Sequence, residues 1–245
     1  MSVHDILKQP IKTDLLEHCI KYITMVQDWE SIRVFEVNES KVSRGRVSKN
    51  FSNEEITKEI NELKEYYNLA KSIKRNTKGD ALIKATANIL KMAKEKKWPQ
   101  KIVVFTESTR TQKYLQQILN KAEIGFIPFS GNNVSEHSAK AYDKWKKEFP
   151  ELALQLSKPI AIRQALVYEF RSNPKKKIFL TTEAGAEGLN LQFANLLINY
   201  DLPWNPQRIE QRIGRIHRYG QKHEVIIANL LNTKNYADKR VLELL

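Results

Sequence analysis

Short apolar segments alternate with amphipathic ones through the last 150 or so residues, and this alternation constrains the fold most strongly. Apolar runs of strand length lie at 101–106, 124–131, 176–182, 194–202 and 224–231. Helical patterns lie between them at 109–122, 136–149, 159–170 and 205–220. Because apolar strands joined by helices form parallel sheets that are buried on both faces, we predict an α/β fold with helices on both sides of a parallel sheet.

The loops that follow the predicted strands form the expected ligand-binding edge of this sheet. In open parallel sheets, ligands bind beyond the carboxyl ends of the strands. Those ends fall at 106–110, 129–133, 181–190 and 201–205. Functional side chains are therefore expected in these four segments.

The first 77 residues lack this alternation. The segment 14–29 has a helical pattern, 40–50 is a polar, basic loop, and 53–73 is an amphipathic helix. We predict that residues 1–77 form a helical extension or protrusion and that 78–245 form the α/β domain. The chain stops at "RVLELL", inside a helical pattern over 236–245, which is typical of a piece of a longer protein.

The composition indicates a basic protein without a disulfide framework. The chain has 245 residues, a net charge of +13 and a pI of 9.6. A positive charge of this size favours polyanionic partners, nucleic acid above all, although the lysine runs are equally typical of solvated faces. The single cysteine, Cys19, excludes an internal disulfide. With no membrane-spanning run and no signal peptide, a cytoplasmic location is expected.

An arginine-rich helix is predicted over 205–220, with Asn205 as its N-cap and Pro206 at its first position. Arg208, Arg212 and Arg215 follow at spacings of four and three, on a face distinct from the apolar one. Gly214 in mid-helix costs about 1 kcal/mol relative to alanine, which makes sense where a ligand or another backbone approaches closely. Guanidinium groups suit phosphate oxygens, whereas the alternative is a solvated basic helix.

A loop of small residues precedes this helix in "FLTTEAGAEGLNLQ", 179–192. Small residues let backbone amides approach an anion, although glycine loops also serve as ordinary tight turns. The arginine helix follows one strand later, at the same predicted sheet edge. That shared position favours one site built from both segments.

The segment "LTTEAGAEGLNLQFANLLINYDLPWNPQRIEQRIGRIHRYGQ" resembles motifs V and VI of superfamily 2 helicases and translocases. Within them it is most similar to Swi/Snf-type remodelling ATPases and their bacterial relatives. "KIVVFTEST" resembles motif IV of the same family. The resemblance covers residues 78–232 and implies the C-terminal RecA-like lobe of a two-lobed, ATP-driven motor.

The resemblance also implies roles for particular residues. Arg215 and Arg218 match the motif VI arginines that reach across to ATP. Gln211 and Arg212 begin that motif and are expected to contribute to nucleotide binding. Arg212 is expected to pair with an acidic residue of the other lobe. The resemblance further implies nucleotide contacts from Gly188 and Asn190, where some branches carry aspartate at position 190, and nucleic-acid phosphate contacts from Thr106, Ser108 and Thr182. Local capping is the alternative role for these three hydroxyls.

Two expected parts of an ATP site do not occur in the sequence. It has no GxxxxGK[ST] loop and no DExH-like tetrad. ATP and Mg are therefore expected to bind mainly to the N-terminal RecA-like lobe of the same full-length protein, and this chain alone is expected to be inactive. The expected partner is nucleic acid, with double-stranded DNA preferred. The alternative is a non-catalytic nucleic-acid-binding or partner-binding module with the same fold.

Two further features are left open by the sequence. The five histidines show no metal-ligand spacing, so no metal site is predicted on this chain. The long segment 132–176, with Trp145 and Phe149, is either an insertion that touches DNA or a partner, or a solvated helical cover.

Overall fold

The structure, a computed structural model, describes residues 20–27, 53–72, 76–232, 240 and 243. The chain divides into two compact units, Trp29–Thr77 and the remainder. The described part of the smaller unit is one helix, α1 (Asn53–Ser72). Its apolar side chains Ile60, Leu63 and Tyr67 are exposed, and its bounds confirm the predicted amphipathic helix.

The larger unit contains a six-stranded sheet in which all neighbouring strands are parallel. The strands lie in the order β1-β6-β5-β2-β4-β3. They are β1 (Ile20–Gln27), β2 (Ile102–Thr106), β3 (Phe126–Phe129), β4 (Ile178–Thr182), β5 (Leu196–Asn199) and β6 (Val225–Asn232). The predicted parallel α/β sheet is confirmed.

Seven helices among the described residues connect these strands. They are α2 (Thr77–Glu95), α3 (Thr109–Lys121), α4 (Glu136–Glu148), α5 (Pro150–Gln155), α6 (Lys158–Ser172), α7 (Glu183–Ala186) and α8 (Pro206–Ile213). The parallel arrangement brings the carboxyl ends of β2, β4 and β5 to one edge, where α3, α7 and α8 begin or follow.

Alternate residues along the strands enter two separate cores. Ile102 and Val104 of β2 pack with Leu82 of α2 and Leu115 of α3 on one face. Phe105 and its neighbours on the other face pack with residues of α6, including Phe170. Burial on both faces explains why the strands read as continuous apolar runs, because neither face meets water.

Two local predictions are corrected by the structure. Residues 20–27 are not helical but form β1, which pairs with β6 from Ile20 opposite Val225 to Gln27 opposite Asn232. The predicted helix over 205–220 ends at Ile213. The boundary at 77/78 stays a prediction. The predicted basic loop at 40–50 lies outside the described residues, as does the helix predicted over 236–245 apart from Arg240 and Glu243.

The segment 132–176 forms helices α4, α5 and α6. Trp145 is 4% exposed and packs against Ala161 and Ala165 of α6. Phe149 contacts the Trp145 ring, with centroids 5.7 Å apart. Because Trp145 is buried by internal packing, its side chain is not available to an external partner.

Candidate functional site

A cleft of about 640 Å³ opens at the carboxyl edge of the sheet, between the end of β2, α7 and α8. Its walls come from two of the four segments in which functional residues were expected, 106–110 and 181–190, together with the predicted arginine helix. The lining residues are Phe105, Glu107, Thr109, Thr182, Glu183, Ala184, Ala186, Glu187, Arg208, Gln211, Arg212 and Arg215. The small-residue loop and the arginine helix thus form one site, as the sequence predicts.

The small-residue loop is held tightly against the sheet. Thr182 caps α7 by accepting a hydrogen bond from the backbone amide of Gly185 at 3.3 Å. A Cβ at Gly185 would lie 3.0 Å from the Ser130 backbone and 3.0 Å from Thr181 Oγ1, so only glycine fits without displacement. The close approach at position 185 is therefore to the protein's own backbone rather than to a ligand.

Arg163 of α6 fixes the same loop from the other side. Its Nη2 donates to the Gly185 carbonyl at 3.0 Å and to the Glu187 carbonyl at 2.7 Å. The guanidinium also lies 5.1 Å from the centre of the Phe129 ring. These contacts link the helical cover to the cleft wall and place Glu187 at its rim.

Helix α8 begins as predicted but ends before Gly214. Asn205 is its N-cap and accepts from the Gln207 amide at 3.0 Å, with Pro206 at the first position. Gly214 is the C-cap, not a mid-helix residue, which corrects the sequence prediction. A Cβ there would meet only the helix's own carbonyls at 3.4 and 3.5 Å. Within the described residues, no other backbone approaches Gly214.

Arg212 is buried inside the lobe rather than lying on a solvent face. It is 1% exposed, and its Nη1 donates to Asn199 Oδ1 at 3.0 Å and to the Asp201 carbonyl at 2.8 Å. Its Nη2 lies 3.3 Å from Glu183 Oε2. The expected pairing with an acidic residue of another lobe is thus replaced by pairing with Glu183 of the same lobe.

Burial lowers the pKa of Arg212, and the nearby carboxylate of Glu183 opposes that effect. Glu183 is shared, because Arg208 Nε lies 3.6 Å from its other oxygen. The cleft lining contains three carboxylates, from Glu107, Glu183 and Glu187, and three guanidiniums. The formal charges of the lining therefore cancel, and the cleft by itself is not a strong anion site.

Arg215 differs from its neighbours because its guanidinium is uncommitted. It is half-buried, it lines the cleft, and no hydrogen-bond or ion-pair partner of its side chain is found among the described residues. Its backbone carbonyl is fixed by the Leu191 amide at 3.0 Å. Gln211, one turn earlier, is exposed on the same cleft wall.

Three of the predicted nucleotide contacts, Arg218, Gly188 and Asn190, do not line this cleft, and Asn190 instead lines a second groove. Arg218 is exposed, and its Nε donates to the Gly214 carbonyl at 2.8 Å, which leaves its terminal nitrogens free. Gly188 is exposed with φ of +75°, a conformation that favours glycine. Asn190 is exposed and accepts from the Gln192 amide at 3.1 Å. None of the three lines the cleft.

The three hydroxyls predicted to contact nucleic acid have internal partners. Thr106 is fully buried and donates to Asp201 Oδ2 at 2.7 Å, so a phosphate contact would require that bond to break. Ser108 caps α3 by accepting from the Arg110 amide, and Thr182 caps α7. The latter two caps leave the hydroxyl protons available.

Two supporting residues were not singled out by sequence reasoning, although both lie in the quoted motifs. Glu183 anchors two arginines, and its signal was an acidic residue at the start of the loop. Gln221 donates from Nε2 to the carbonyls of Gln192, Ala194 and Ile216, which ties the loop to the chain after α8. Arg163, far away in sequence, carried no such signal.

The described residues hold no group of three histidine, cysteine or acidic side chains suited to a metal ion. His137 Nε2 instead lies 3.1 Å from the Glu169 carboxylate oxygen Oε2. Burial of Glu169 would raise its pKa, but the hydrogen bond and charge of His137 outweigh that effect and lower it. Among the described helices, none is long and apolar enough to cross a membrane.

A comparison with protein families decides the identity of the domain. The model of the helicase conserved C-terminal domain matches residues 80–220, more than half of the chain. The chain belongs to the helicase conserved C-terminal domain family. The cleft at the carboxyl edge of this helicase domain lies within the matched residues.

Individual relatives agree with this assignment. The chain is 41% identical over 150 residues to the ATP-dependent helicase YqhH of Bacillus subtilis (strain 168), a match covering 61% of this chain and 22% of the relative. It is 32% identical over 134 residues to the human Helicase ARIP4, covering 54% and 9%. The helicase domain thus spans less than a quarter of these relatives' lengths.

A solved structure of a helicase lobe is also similar. The C-terminal part of the Fun30 ATPase domain matches with a TM-score of 0.48 and 24% identity, over 66% of this chain and 44% of that chain. The resemblance to Swi/Snf-type helicases stated from motifs V and VI is confirmed by the family match and these relatives.

Proposed function

We propose that this helicase domain is the C-terminal lobe of a nucleic-acid-dependent ATPase, a helicase or DNA translocase, that completes an ATP site held by the N-terminal lobe of the same full-length protein. The observation that carries the proposal is the contrast between two arginines of one motif. Arg212 is buried and both of its terminal nitrogens are hydrogen-bonded inside the lobe, whereas Arg215 faces the cleft and has no side-chain partner among the described residues.

An uncommitted guanidinium held by a fixed backbone suits an arginine finger. Because the Arg215 carbonyl is bonded to the Leu191 amide, its side chain starts from a defined position. A guanidinium that meets the transferred phosphoryl group stabilises transition-state charge and is worth about 10³–10⁵ in turnover. Arg218, with free terminal nitrogens, is the second candidate finger, and Gln211 is placed to contact the nucleotide. We assign Arg212 a positioning role within the same site.

The charge balance of the cleft supports a shared ATP site. Three carboxylates offset three guanidiniums, so the cleft does not concentrate a triphosphate unaided. The described residues also hold no cluster of three or more ligating side chains that could bind a metal ion by itself. These observations favour ATP and Mg being held mainly by the N-terminal lobe, with Gly188 close to the rim of the cleft. Asn190 lines a separate groove at the opposite edge of the sheet, so its nucleotide contact stays a prediction.

The nucleic-acid partner is proposed on charge and on the hydroxyls near the same edge. Ser108 and Thr182 retain donor capacity for phosphate oxygens, and Thr106 is the weaker candidate because of its bond to Asp201. The net charge of +13 favours backbone contacts, which read phosphates rather than bases. We propose double-stranded DNA as the partner. Stepping would follow closure of the two lobes around ATP and their reopening after hydrolysis.

The test uses the full-length protein that contains this lobe, with Arg215→Ala, Arg218→Ala and the distant control Lys121→Ala. We expect DNA-stimulated ATP hydrolysis to fall by about 10³-fold or more in the Arg215 variant and strongly in the Arg218 variant. The control should keep its rate, and circular dichroism should show all three folded. Full hydrolysis in both arginine variants would remove the finger assignment.

A second measurement distinguishes the motor from a non-catalytic binding module. We expect this chain alone to bind duplex DNA weakly, with affinity that falls steeply as salt rises, and to hydrolyse little ATP. DNA binding by the full-length protein without any stimulated hydrolysis would favour the binding module instead.

A further inference from the structure

A second groove lies at the opposite, amino-terminal edge of the sheet and is not explained by an ATP site. It encloses about 650 Å³ between α5 and α6 on one side and the segments leading into β5 and β6 on the other. We name it the basic groove and define it by two cations, one histidine and four apolar side chains. They are Arg171, Lys222, His223, Phe149, Leu152, Val167 and Phe193.

The charge of the basic groove is one-sided. No carboxylate lines it, in contrast to the neutral cleft at the other edge. Arg171 and Lys222 are exposed and have no carboxylate partner among the described residues. Three acidic side chains close in sequence are engaged elsewhere: Glu224 with Lys96 at 3.0 Å, Glu169 with His137 at 3.1 Å, and Glu148 with the Tyr168 hydroxyl. Glu151, next to Leu152, does not line the groove. The groove therefore offers unneutralised positive charge.

The floor between the cations is apolar. Leu152 is 42% exposed there, next to the half-buried Val167 and Phe149. An occupant that matches both features needs carboxylates at its ends or edges and an aliphatic or aromatic side chain between them. A ligand of charge alone, such as a free phosphate, would leave this floor in contact with water.

Aromatic rings in the groove are already packed against other rings, which argues against nucleic acid. Phe149 meets the Tyr168 ring edge-on, with centroids 5.0 Å apart, and Phe193 lies 5.6 Å from Phe170. The Arg171 guanidinium lies 5.8 Å from the centre of the Phe193 ring. Base stacking needs free ring faces, whereas an apolar side chain of a peptide needs only the gap beside them.

We propose that the basic groove is a docking site for an acidic peptide segment of a partner protein, with carboxylates beside Arg171 and Lys222 and a leucine- or phenylalanine-like anchor against Leu152 and Phe149. Charge complementarity selects the acidic class and steers its approach, while burial of the anchor supplies affinity. This site is independent of the proposed ATPase, since its recognition needs neither nucleotide nor nucleic acid.

The experiment selects peptides from a random library displayed on phage, using the whole chain as bait. We expect the selected sequences to be enriched in aspartate and glutamate flanking an aliphatic or aromatic residue. The affinity of each variant for the synthesised peptides is measured by fluorescence anisotropy. The double variant Arg171→Glu/Lys222→Glu should bind these peptides at least about tenfold more weakly than the unmodified chain. The matched double variant Lys113→Glu/Lys121→Glu, exposed on α3, should bind as the unmodified chain does.

A separate variant tests the apolar floor without changing charge. Leu152→Ser should weaken binding of the same peptides, and because Leu152 is partly exposed the fold should survive. Selected peptides without acidic enrichment, or equal binding by both double variants, would overturn the proposal. The proposal would also be overturned if a single-stranded oligonucleotide bound through Arg171 and Lys222 and the selected peptides did not compete with it.

Discussion

Glu183 Oε2 lies 3.3 Å from Arg212 Nη2, and this pair joins the small-residue loop to the arginine helix. Arg212 is 1% exposed, so its charge depends on partners inside the lobe. The same carboxylate also reaches Arg208 at 3.6 Å. One acidic side chain thus sets the spacing of two segments that the proposed ATP site needs together.

Removing the Glu183 carboxylate should destabilise the domain. Glu183→Ala leaves the buried guanidinium of Arg212 without its charged partner, and we expect a loss of about 2 kcal/mol in unfolding free energy. Denaturant unfolding of the isolated chain measures it. Arg208→Ala is the control, because that arginine is 55% exposed and its loss should cost less than about 1 kcal/mol. Equal effects of the two substitutions would contradict this account.

The sequence predicted the parallel sheet and the cleft because their signals are local. Strands buried on both faces read as apolar runs, and the segments after β4 and β5 carry small residues and arginines at recognisable spacing. Arg212 was placed on the wrong face because spacing along α8 does not show what lies beneath it. Its partners are Asn199, the last residue of β5, and Asp201, which follows that strand.

Strand β1 is a second feature that the local sequence pattern did not predict. Residues 20–27 combine apolar and polar residues at spacings that also suit a helix, yet they pair in parallel with β6 across more than two hundred positions. Such distant pairing carries no local signal. Its β-branched content, at Ile20, Ile23, Thr24 and Val26, was the available indication of a strand.

Substitution of Gly214 tests why the arginine-rich motif has a glycine, without a side chain, at this position. A Cβ there would make only ordinary contacts at 3.4 and 3.5 Å within α8, and φ is −60°. Gly214→Ala should therefore leave the stability of the isolated chain unchanged or raise it by up to about 1 kcal/mol. If the glycine admits the other lobe or ATP, the same substitution in the full-length protein should lower DNA-stimulated ATP hydrolysis. A strongly destabilised isolated chain would show that Gly214 has a structural role instead.

Substitution by alanine should affect the stability of the domain differently at two glycines near the small-residue loop. Gly185→Ala forces a methyl group to 3.0 Å from the Ser130 backbone, and we expect a loss of about 1–3 kcal/mol. Gly131→Ala meets nothing within 4 Å and should be neutral or slightly stabilising. Thermal unfolding of both variants measures the difference. Similar melting temperatures would mean that the loop relaxes away from Ser130.

Lys101 should give the domain a pH-dependent stability above neutrality. It is 9% exposed, and its ammonium donates to the carbonyls of Asn173 and Lys176 at 2.6 and 2.7 Å. Burial, with a smaller effect of the positive charge of Lys177, lowers the pKa of Lys101 from 10.5 to about 8. Between these two values the unfolded chain binds a proton that the folded chain has released, so stability rises with pH in that window.

The measurement compares the unmodified chain with Lys101→Met by denaturant unfolding from pH 7 to pH 10. Other lysines contribute equally to both proteins, so the difference in unfolding free energy isolates Lys101. We expect this difference to be constant below about pH 8 and then to grow in favour of the unmodified chain, because its cost of burying a charge disappears as the ammonium loses its proton. Lys113→Met, at an exposed position of α3, should show no such trend. A difference that stays flat to pH 10 would mean that the two carbonyls hold Lys101 charged throughout.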